Sequence, residues 1–349
     1  MSSQSAWFAI GTFSLAGCPP FCGMVLEGDR VIAVEALRGL SPTLRGSLAP
    51  AASALDVLEC WELALPALQQ AADLLARADS KPARSIAART VPMAALTAHA
   101  PVAARQILLS GANYFKHVVD LIVDLGPGKT PGTEGMDSEQ LRAYGEDLMR
   151  RRQRDGSPYV FSKPITALAG AFEPIVLPSF TQQADWELEL AVVMSSAARN
   201  VSRDTALDHV AGYMIVNDLT NRDHVWAKGD MKPMGTDWIT SKSCPGYLPA
   251  GPYMVPARHA GNPADMHLDL RLNGQIMQSE STRDMIFDVP RLIEHISSVV
   301  QLLPGDVICT GSPAGNGTHH GRFLRAGDLV EATITGLGAQ RTPVTSDSQ

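Results

Sequence analysis

The chain has 349 residues, of which 45% are hydrophobic and 19% are charged, enough to bury the core of one large domain or two moderate ones. Its 36 acidic residues outnumber the 29 Lys and Arg residues, and no basic stripe with interleaved aromatic residues occurs, which argues against a nucleic-acid partner. No apolar run approaches the roughly 18 residues that cross a bilayer, and the first basic residue is Arg30. We therefore expect a cytoplasmic protein with no membrane partner.

The first part of the chain has the pattern of a small strand-rich unit. Residues 7–37 alternate short apolar runs with Gly and Pro, which predicts strands joined by a tight turn. Residues 54–77 are rich in Ala and Leu and predict a helix. We expect an N-terminal subdomain over residues 1–104, followed by the working domain over residues 105–345.

Residues 126–157 interrupt the working domain with a Gly- and Pro-rich loop and a charged helix. The helix is predicted from Ser138 to Arg154 and has little apolar face. Such a segment more often covers a site than fills a core, so we predict a lid or a pocket wall.

The remainder, from 172 to 343, consists mostly of short apolar strands punctuated by Gly and Pro. Two helices are predicted within it, near 202–210 with Ser202 as its cap and near 288–300 with Asp288 as its cap. This pattern predicts an α+β fold dominated by strands, a sandwich or barrel, and not a repeat of βαβ units.

The most informative stretch is the run from Asp185 to Met194. Because side chains alternate along a strand, Asp185, Glu187 and Glu189 share one face, where like charges repel unless water or a cation compensates them. A solvated outer face is the simpler interpretation. Asp218 argues against it, since this acid ends a buried apolar run and needs a partner there. Oxygen ligands of this kind favour a hard cation: Mg²⁺ first, then Mn²⁺ or Ca²⁺.

Two further groups are candidates for catalysis. His117 lies where a turn enters a helix, and Asp120 is close enough along that helix to orient the imidazole as a general base. Lys242 lies between a tryptophan and a Pro-Gly turn, where it is either a surface lysine or an ammonium that neutralises an enolate or carboxylate oxygen.

A Gly-rich loop follows the strand near residues 306–310. Its glycines allow backbone N–H groups to converge on an anion, and Ser312 adds a hydroxyl. A plain loop between strands is an equally good interpretation of this motif alone.

Taken together, these pieces resemble the fumarylacetoacetate hydrolase family from about Ile107 to Val344. The matching motifs, in order, are Gly111-Ala-Asn-Tyr114 with His117, Phe161-Ser-Lys163-Pro164, Asp185-Trp-Glu187-Leu-Glu189, Val210-Ala-Gly-Tyr213 with Asn217-Asp218 and Arg222-Asp223, Lys242-Ser243, Asn273-Gly274, Gln278-Ser279, Thr282 to Phe287, and Pro304-Gly-Asp306 to Gly315.

The resemblance implies a mixed-strand β-sandwich roll, usually dimeric, that holds Mg²⁺ or Mn²⁺ and acts on β-diketo acids or related oxoacids, as in the catabolism of aromatic compounds. Position by position, it implies three metal ligands (Glu187, Glu189 and Asp218), a base dyad (His117 with Asp120), a catalytic Lys242, and substrate contacts (Tyr114, Arg222, Gly311 and Ser312).

Three positions depart from the family pattern. Asp120 stands where relatives commonly carry Glu, Val225 stands where many carry Gln, and the segment after Lys242 lacks an Asp that is often found there. These changes imply a different and more apolar substrate tail.

The leading hypothesis is hydrolytic carbon–carbon cleavage of an acylpyruvate-like β-diketo acid, with His117 activating water and Lys242 sharing the enolate charge. Decarboxylation, hydration or tautomerisation of an oxoacid on the same metal site is the alternative, because a fold does not choose among reactions. The third hypothesis, a binding protein without activity, is disfavoured by the retained acids, His117 and Lys242.

Overall fold

The computed structural model describes residues 5–48 and 53–347. In chain order its strands are β1 (Phe8–Ser14), β2 (Phe21–Leu26), β3 (Arg30–Ala33), β4 (Val91–Pro92), β5 (Thr97–Ala98), β6 (Ile107–Gly111), β7 (Tyr159–Ser162), β8 (Leu168–Gly170), β9 (Ile175–Leu177), β10 (Ala184–Asp185), β11 (Leu188–Met194), β12 (Val210–Asn217), β13 (Thr220–Asn221), β14 (Leu248–Ala250), β15 (Val255–Pro256), β16 (His267–Leu272), β17 (Gln275–Ser281), β18 (Val307–Cys309), β19 (Leu329–Ile334) and β20 (Ala339–Ser346).

The helices, also in chain order, are α1 (Val34–Leu37), α2 (Pro42–Ser47), α3 (Ala54–Glu59), α4 (Trp61–Arg77), α5 (Lys81–Ala87), α6 (Phe115–Leu125), α7 (Ser138–Asp155), α8 (Trp238–Lys242), α9 (Ala257–Ala260), α10 (Val289–Val299) and α11 (Gly317–His320).

The largest sheet has the order β7-β6-β18-β11-β12-β14-β8, with β15 also paired to β12. Its pairs are mixed, since β6 runs parallel to β18 and β14 parallel to β8, whereas β11 and β12 are antiparallel. A second sheet has the order β17-β16-β19-β20-β9. The strand-dominated α+β class with mixed strands is therefore confirmed.

Strand β11 lies between two cores and is buried along its whole length. Leu190 and Val192 pack into the core shared with the second sheet, whereas Ala191 and Val193 pack into the core shared with the N-terminal residues. This double burial explains why the strand is continuously apolar from Leu190 to Met194 and does not alternate there. A strand fixed on both faces is a rigid base for the acids at its start.

The N-terminal residues form a sheet of order β4-β3-β2-β1-β5 that packs with the adjacent helices. Ile10 and Met254 join this sheet to the rest by two backbone hydrogen bonds of 2.9 and 2.8 Å. Phe8 and Leu68 also belong to the same apolar core as Val193, so the packing is continuous across residue 104. The boundary at 104/105 stays a prediction.

The predicted helices meet three different outcomes. Residues 54–77 form two helices, α3 and α4, and Asp288 caps α10 by accepting a hydrogen bond from the Arg291 N–H at 3.0 Å. The helix predicted over 202–210 is wrong, because only a 3₁₀ turn forms, at Ala206–His209. The chain must enter β12 at Val210, which leaves no room for a full helix.

Helix α7 lies within the segment predicted to be a lid. Leu141, Gly145 and Met149, spaced four residues apart, make a narrow buried stripe that packs on α6. Helix α6 carries His117, so α7 braces the element that presents this side chain. Within the described ranges, no helix is both long enough and apolar enough to cross a membrane.

Gly212 provides a test of the contact between β12 and β15. A Cβ atom at this position would lie 2.2 Å from the Val255 carbonyl oxygen, a backbone atom that cannot rotate away. We expect Gly212→Ala to lower the free energy of unfolding in urea by about 3 kcal/mol. Gly46→Ala is the matched control, because nothing lies within 4 Å of its added Cβ. Equal stability of the two variants would contradict the described packing.

Candidate metal centre and active site

The acidic site forms where the antiparallel strands β11 and β12 meet at one end. Leu188 pairs with Asn217, which places Glu187 and Glu189 at the start of β11 beside Asp218, the residue just after β12. The Asp218 N–H donates to the Glu187 carbonyl oxygen at 2.8 Å. One carboxylate oxygen from each of the three acids lies within 4.8 Å of the others, and all three residues are buried. The structure thus brings the three predicted ligands together.

Asp185 contributes no oxygen to this triad, although strand alternation places it on the same face as the two glutamates. Its carboxylate accepts hydrogen bonds from the Gly317 N–H at 2.5 Å and the Trp186 N–H at 2.8 Å. It also accepts one from Arg222 Nε at 2.7 Å. Asp185 therefore anchors Arg222 and the start of α11.

Arg222 bridges two acids. Its second guanidinium nitrogen donates to Glu187 Oε1 at 2.5 Å, while Nε binds Asp185. Burial raises the pKa of Glu187, but the charges of Arg222 and Lys242 outweigh it and hold that pKa well below its usual range. In this geometry Arg222 orients Glu187, and its role as a substrate contact stays a prediction.

Lys242 lies inside the acidic site and not on the surface, with only 4% of the residue exposed. Its ammonium donates to Glu187 Oε2 and to Thr220 Oγ1, each at 2.7 Å, and to Asp218 Oδ2. Burial lowers the pKa of Lys242, but Asp218 and Glu187 outweigh it and raise that pKa above its ordinary value. The ammonium therefore stays charged next to the predicted metal ligands.

Lys163 was missed as a site residue. Its side chain is wholly buried, and its ammonium donates to Asp218 Oδ1 and to the Tyr247 carbonyl oxygen, each at 2.6 Å. The signal was present in the Phe161-Ser-Lys163-Pro164 motif, where a lysine follows an apolar strand directly. A buried lysine requires an acidic partner, but the sequence does not show which acid it meets.

Among the four site acids, Glu189 has the negative charge that is least compensated by nearby cations. One of its oxygens accepts a hydrogen bond from the Gly311 N–H at 2.7 Å. Burial raises the pKa of Glu189, and the charges of Asp218 and Glu187 raise it further. Gly311 has φ +95°, and a Cβ there would lie 2.9 Å from the Ser110 carbonyl oxygen, so glycine is required for this contact. Gly311 thus positions Glu189 through its backbone.

The buried charges of the site leave one negative charge uncompensated. Four carboxylates (Asp185, Glu187, Glu189 and Asp218) face three cations (Lys163, Arg222 and Lys242). Either Glu189 carries a proton or a dication joins the cluster. Three converging carboxylate oxygens form a donor set suited to Mg²⁺ or Mn²⁺, so the residues present fit such an ion.

Tyr114 and Ser312 lie beside this cluster. Tyr114 is fully buried, and its hydroxyl makes no hydrogen bond within the described residues. Burial and the charge of Glu189 raise its pKa well above the ordinary value. Ser312 Oγ accepts a hydrogen bond from Gln278 Nε2 at 2.9 Å. This buried hydroxyl, without a partner among the described residues, is free to bind water or substrate next to Glu189.

His117 and Asp120 are placed differently from the predicted dyad. Asp120 pairs with Arg142 of α7 at 3.1 Å, and within the described residues no hydrogen bond reaches the His117 ring. Burial lowers the pKa of His117 to about 4, against an opposing effect of Glu187. The imidazole is therefore neutral at neutral pH and able to accept a proton. Its pairing with Asp120 stays a prediction.

A narrow cleft leads to His117. Its walls come from α6, from the loop after β18 and from α11, and the lining residues are His117, Asp120, Leu121, Asp124, Ala314, Gly315, Asn316 and His319. His319 Nδ1 lies 3.0 Å from Asp124 Oδ2 at its rim. The Gly-rich loop predicted to bind an anion thus lines the approach to the candidate base.

Comparison with known proteins identifies the family. The model of the fumarylacetoacetate (FAA) hydrolase C-terminal domain matches residues 107–345, which include every site residue named above. The chain belongs to the fumarylacetoacetate hydrolase family.

Curated relatives in this family carry different activities. A 2,4-didehydro-3-deoxy-L-rhamnonate hydrolase from Sphingomonas sp. is 39% identical over 190 residues, which cover 54% of this chain and 65% of the relative. A mitochondrial oxaloacetate tautomerase from Xenopus laevis is 36% identical over 189 residues, which cover 54% of this chain and 58% of the relative. The chain therefore matches less than two thirds of the length of these two relatives.

Solved structures show the same fold. A 5-carboxymethyl-2-hydroxymuconate delta-isomerase from Mycobacterium smegmatis is 30% identical with a TM-score of 0.57, over 75% of this chain and 86% of that one. Maleylpyruvate hydrolase from Sphingobium sp. SYK-6, solved with manganese(II) and pyruvate, has a TM-score of 0.68 at 23% identity, over 97% of this chain and 100% of that one. The predicted fumarylacetoacetate hydrolase-like fold is confirmed.

Binding of Mn²⁺ to EDTA-treated protein tests the acidic site. Because the raised pKa of Glu189 favours its protonated form, binding must displace that proton. We expect affinity, measured by calorimetry or electron paramagnetic resonance, to rise with pH by up to about tenfold per unit. Glu189→Gln, which resembles the protonated acid, should fold normally and lose binding by at least about 100-fold. Glu62→Gln on an exposed helix face is the matched control.

A second test concerns the base. We expect the His117 ring to titrate near pH 4 in an NMR experiment on the folded protein. Arg142→Gln should raise this midpoint, because it frees the Asp120 carboxylate to stabilise the imidazolium. Arg150→Gln, which removes a pair with Glu146 on the same helix, should leave the midpoint unchanged. A wild-type midpoint near 6.5 would contradict the described burial.

Proposed function

We propose that this chain is a hydrolase that requires Mg²⁺ or Mn²⁺ and cleaves a carbon–carbon bond in an acylpyruvate-like β-diketo acid. The observation that carries the proposal is the buried acidic triad, with an ammonium on one side and a neutral imidazole nearby. The manganese- and pyruvate-bound maleylpyruvate hydrolase and the deoxyrhamnonate hydrolase support it as relatives of similar fold or sequence.

In the proposed reaction, water adds to the carbonyl of the acyl group, and the bond between that carbon and the central CH₂ breaks. The products are a carboxylic acid and pyruvate, whose methyl group takes up a proton. A dication bound by Glu187, Glu189 and Asp218 would stabilise negative charge on the 2-oxoacid end.

The chain's own residues supply the remaining steps. His117 removes a proton from the attacking water and returns it to the CH₂ carbon, because its ring is neutral and has a free nitrogen. Lys242 shares the negative charge that develops on the leaving oxoacid. Arg222 and Lys163 hold Glu187 and Asp218 in place. Helix α7 packs on α6, which forms one wall of the cleft, and limits the access of bulk water to the intermediate.

Tautomerisation of an oxoacid is the second candidate. A specific observation favours it: burial lowers the pKa of His117 to about 4, and Asp120 is paired with Arg142, so the ring is a weak base for activating water. Tautomerisation needs only the movement of a proton between carbon and oxygen. The oxaloacetate tautomerase and the muconate isomerase are relatives that fit this chemistry.

A panel of acylpyruvates, assayed with Mn²⁺, Mg²⁺ or EDTA, separates the candidates. We expect loss of the enol absorbance together with the release of equimolar pyruvate. EDTA should abolish this activity, and added metal should restore it. Lys242→Met should lower kcat by about 100-fold or more, because an ammonium at the developing charge is lost. Lys129→Met, at an exposed position, is the control.

Three outcomes of this assay differ in meaning. Pyruvate release supports hydrolysis. Rapid interconversion of the enol and keto forms of oxaloacetate, without any cleavage of acylpyruvates, would replace hydrolysis by tautomerisation. Wild-type protein that is inert toward every diketo acid and oxoacid, while Glu187→Ala folds normally, would revive the binding-protein hypothesis.

We also propose a homodimer in the cytoplasm, as the family resemblance implies. Light scattering on the purified chain would measure its mass, and a value of 37.3 kDa would contradict the dimer.

A further inference from the structure

Three aromatic side chains form a continuous surface at the edge of the large sheet. Phe161 of β7 and Trp238 of α8 are stacked, with ring centroids 4.5 Å apart and planes 14° apart. Trp238 Nε1 donates to the Tyr159 hydroxyl at 2.9 Å, and the Tyr159 and Trp238 ring centroids are 6.2 Å apart. We call Tyr159, Phe161 and Trp238 the aromatic wall.

The aromatic wall borders the acidic site through Lys242. The Lys242 ammonium lies 5.6 Å from the Phe161 ring centroid and 6.0 Å from that of Trp238. The same nitrogen is 2.7 Å from Glu187 Oε2. A substrate that binds at the acidic site and extends past Lys242 therefore meets the aromatic wall next.

The aromatic wall is only partly covered by protein. Strand β7 is the edge strand of its sheet, Tyr159 is 46% exposed, and Trp238 is half-buried. Phe161 packs against the apolar core on one side, which fixes the position of the stack. The polar atoms of Tyr159 and Trp238 bind each other, so what remains for a ligand is apolar and planar.

The charges around the aromatic wall argue against an anionic ligand tail. The three cations of the site, Lys163, Arg222 and Lys242, are each paired with site acids. Asp237, which caps α8, adds a negative charge directly before Trp238. A carboxylate tail here would lose its hydration beside Asp237, and Lys242, the cation next to the aromatic wall, serves the 2-oxoacid end in the proposed reaction.

We propose that the aromatic wall binds the acyl tail of the substrate and that this tail is uncharged and planar, such as an aroyl or conjugated enoyl group. The inference rests on the proposed function, since it places the 2-oxoacid end at the acidic triad. Tyr159 and Trp238 then determine specificity by stacking on the tail, while Phe161 holds Trp238 in position. Acylpyruvates that carry a second carboxylate in the tail are poor substrates.

The kinetic test compares benzoylpyruvate, acetylpyruvate and fumarylpyruvate with the Mn²⁺-loaded enzyme. We expect kcat/KM to be at least about tenfold higher for benzoylpyruvate than for the other two. Trp238→Ala should lower kcat/KM for benzoylpyruvate at least about fivefold more than kcat/KM for acetylpyruvate, whereas Trp238→Phe should retain the preference. Trp226→Ala, which removes a tryptophan that is 67% exposed in the neighbouring segment, is the matched control.

A binding measurement does not require turnover. Calorimetric titration of the Mn²⁺-loaded protein with phenylpyruvate and pyruvate should show at least about tenfold tighter binding of phenylpyruvate in wild type. In Trp238→Ala the two affinities should converge. This readout also distinguishes a stacking role from a general loss of structure, because pyruvate binding reports on the rest of the site.

The possible results separate the two proposals. Cleavage of all three acylpyruvates at similar rates, or a preference for fumarylpyruvate, would overturn the inference and leave the hydrolase function standing. Trp238-dependent binding of phenylpyruvate without any cleavage would support the aromatic wall and overturn hydrolysis. Absence of both cleavage and phenylpyruvate binding would overturn both.

Discussion

The constraint on which the site depends is the charge balance of a buried cluster at the ends of β11 and β12. Lys163, Arg222 and Lys242 neutralise much of the negative charge of Asp185, Glu187 and Asp218, but Glu189 remains without a cation of its own. A buried carboxylate in that position either takes up a proton or recruits a cation. A proton would cancel this one charge, and the three converging carboxylate oxygens offer a dication a ready set of ligands.

The fold imposes this arrangement through double burial. Strand β11 is packed on both faces, so its register with β12 is fixed and the acids at its start cannot turn toward water. The same sheet brings β18 beside β11, and the loop after β18 delivers the Gly311 N–H to Glu189. The electrostatic cost of the cluster is thus offset by the packing of the strands that carry it.

Local patterns in the sequence predicted the strand-dominated fold and the convergence of Glu187, Glu189 and Asp218, because period-two alternation and buried runs are local signals. Such patterns do not predict which side chains far apart in the chain form ion pairs. The sequence placed Asp185 with the glutamates, yet Arg222, 37 residues away along the chain, binds it instead. The pairing of His117 with Asp120 stays a prediction, and the sequence did not show that Arg142 reaches Asp120 from α7. The cationic partners of the cluster, Lys163 above all, depend on tertiary contacts that no spacing reveals.

The central claim is that a dication belongs among the three acids. Crystals soaked in Mn²⁺ and measured at the manganese absorption edge test it most directly. The account predicts one strong anomalous peak coordinated by oxygens of Glu187, Glu189 and Asp218, with the Lys242 ammonium shifted away from a position between Glu187 and Asp218. No peak at these carboxylates, with Lys242 still bridging the two acids at saturating metal, would contradict it.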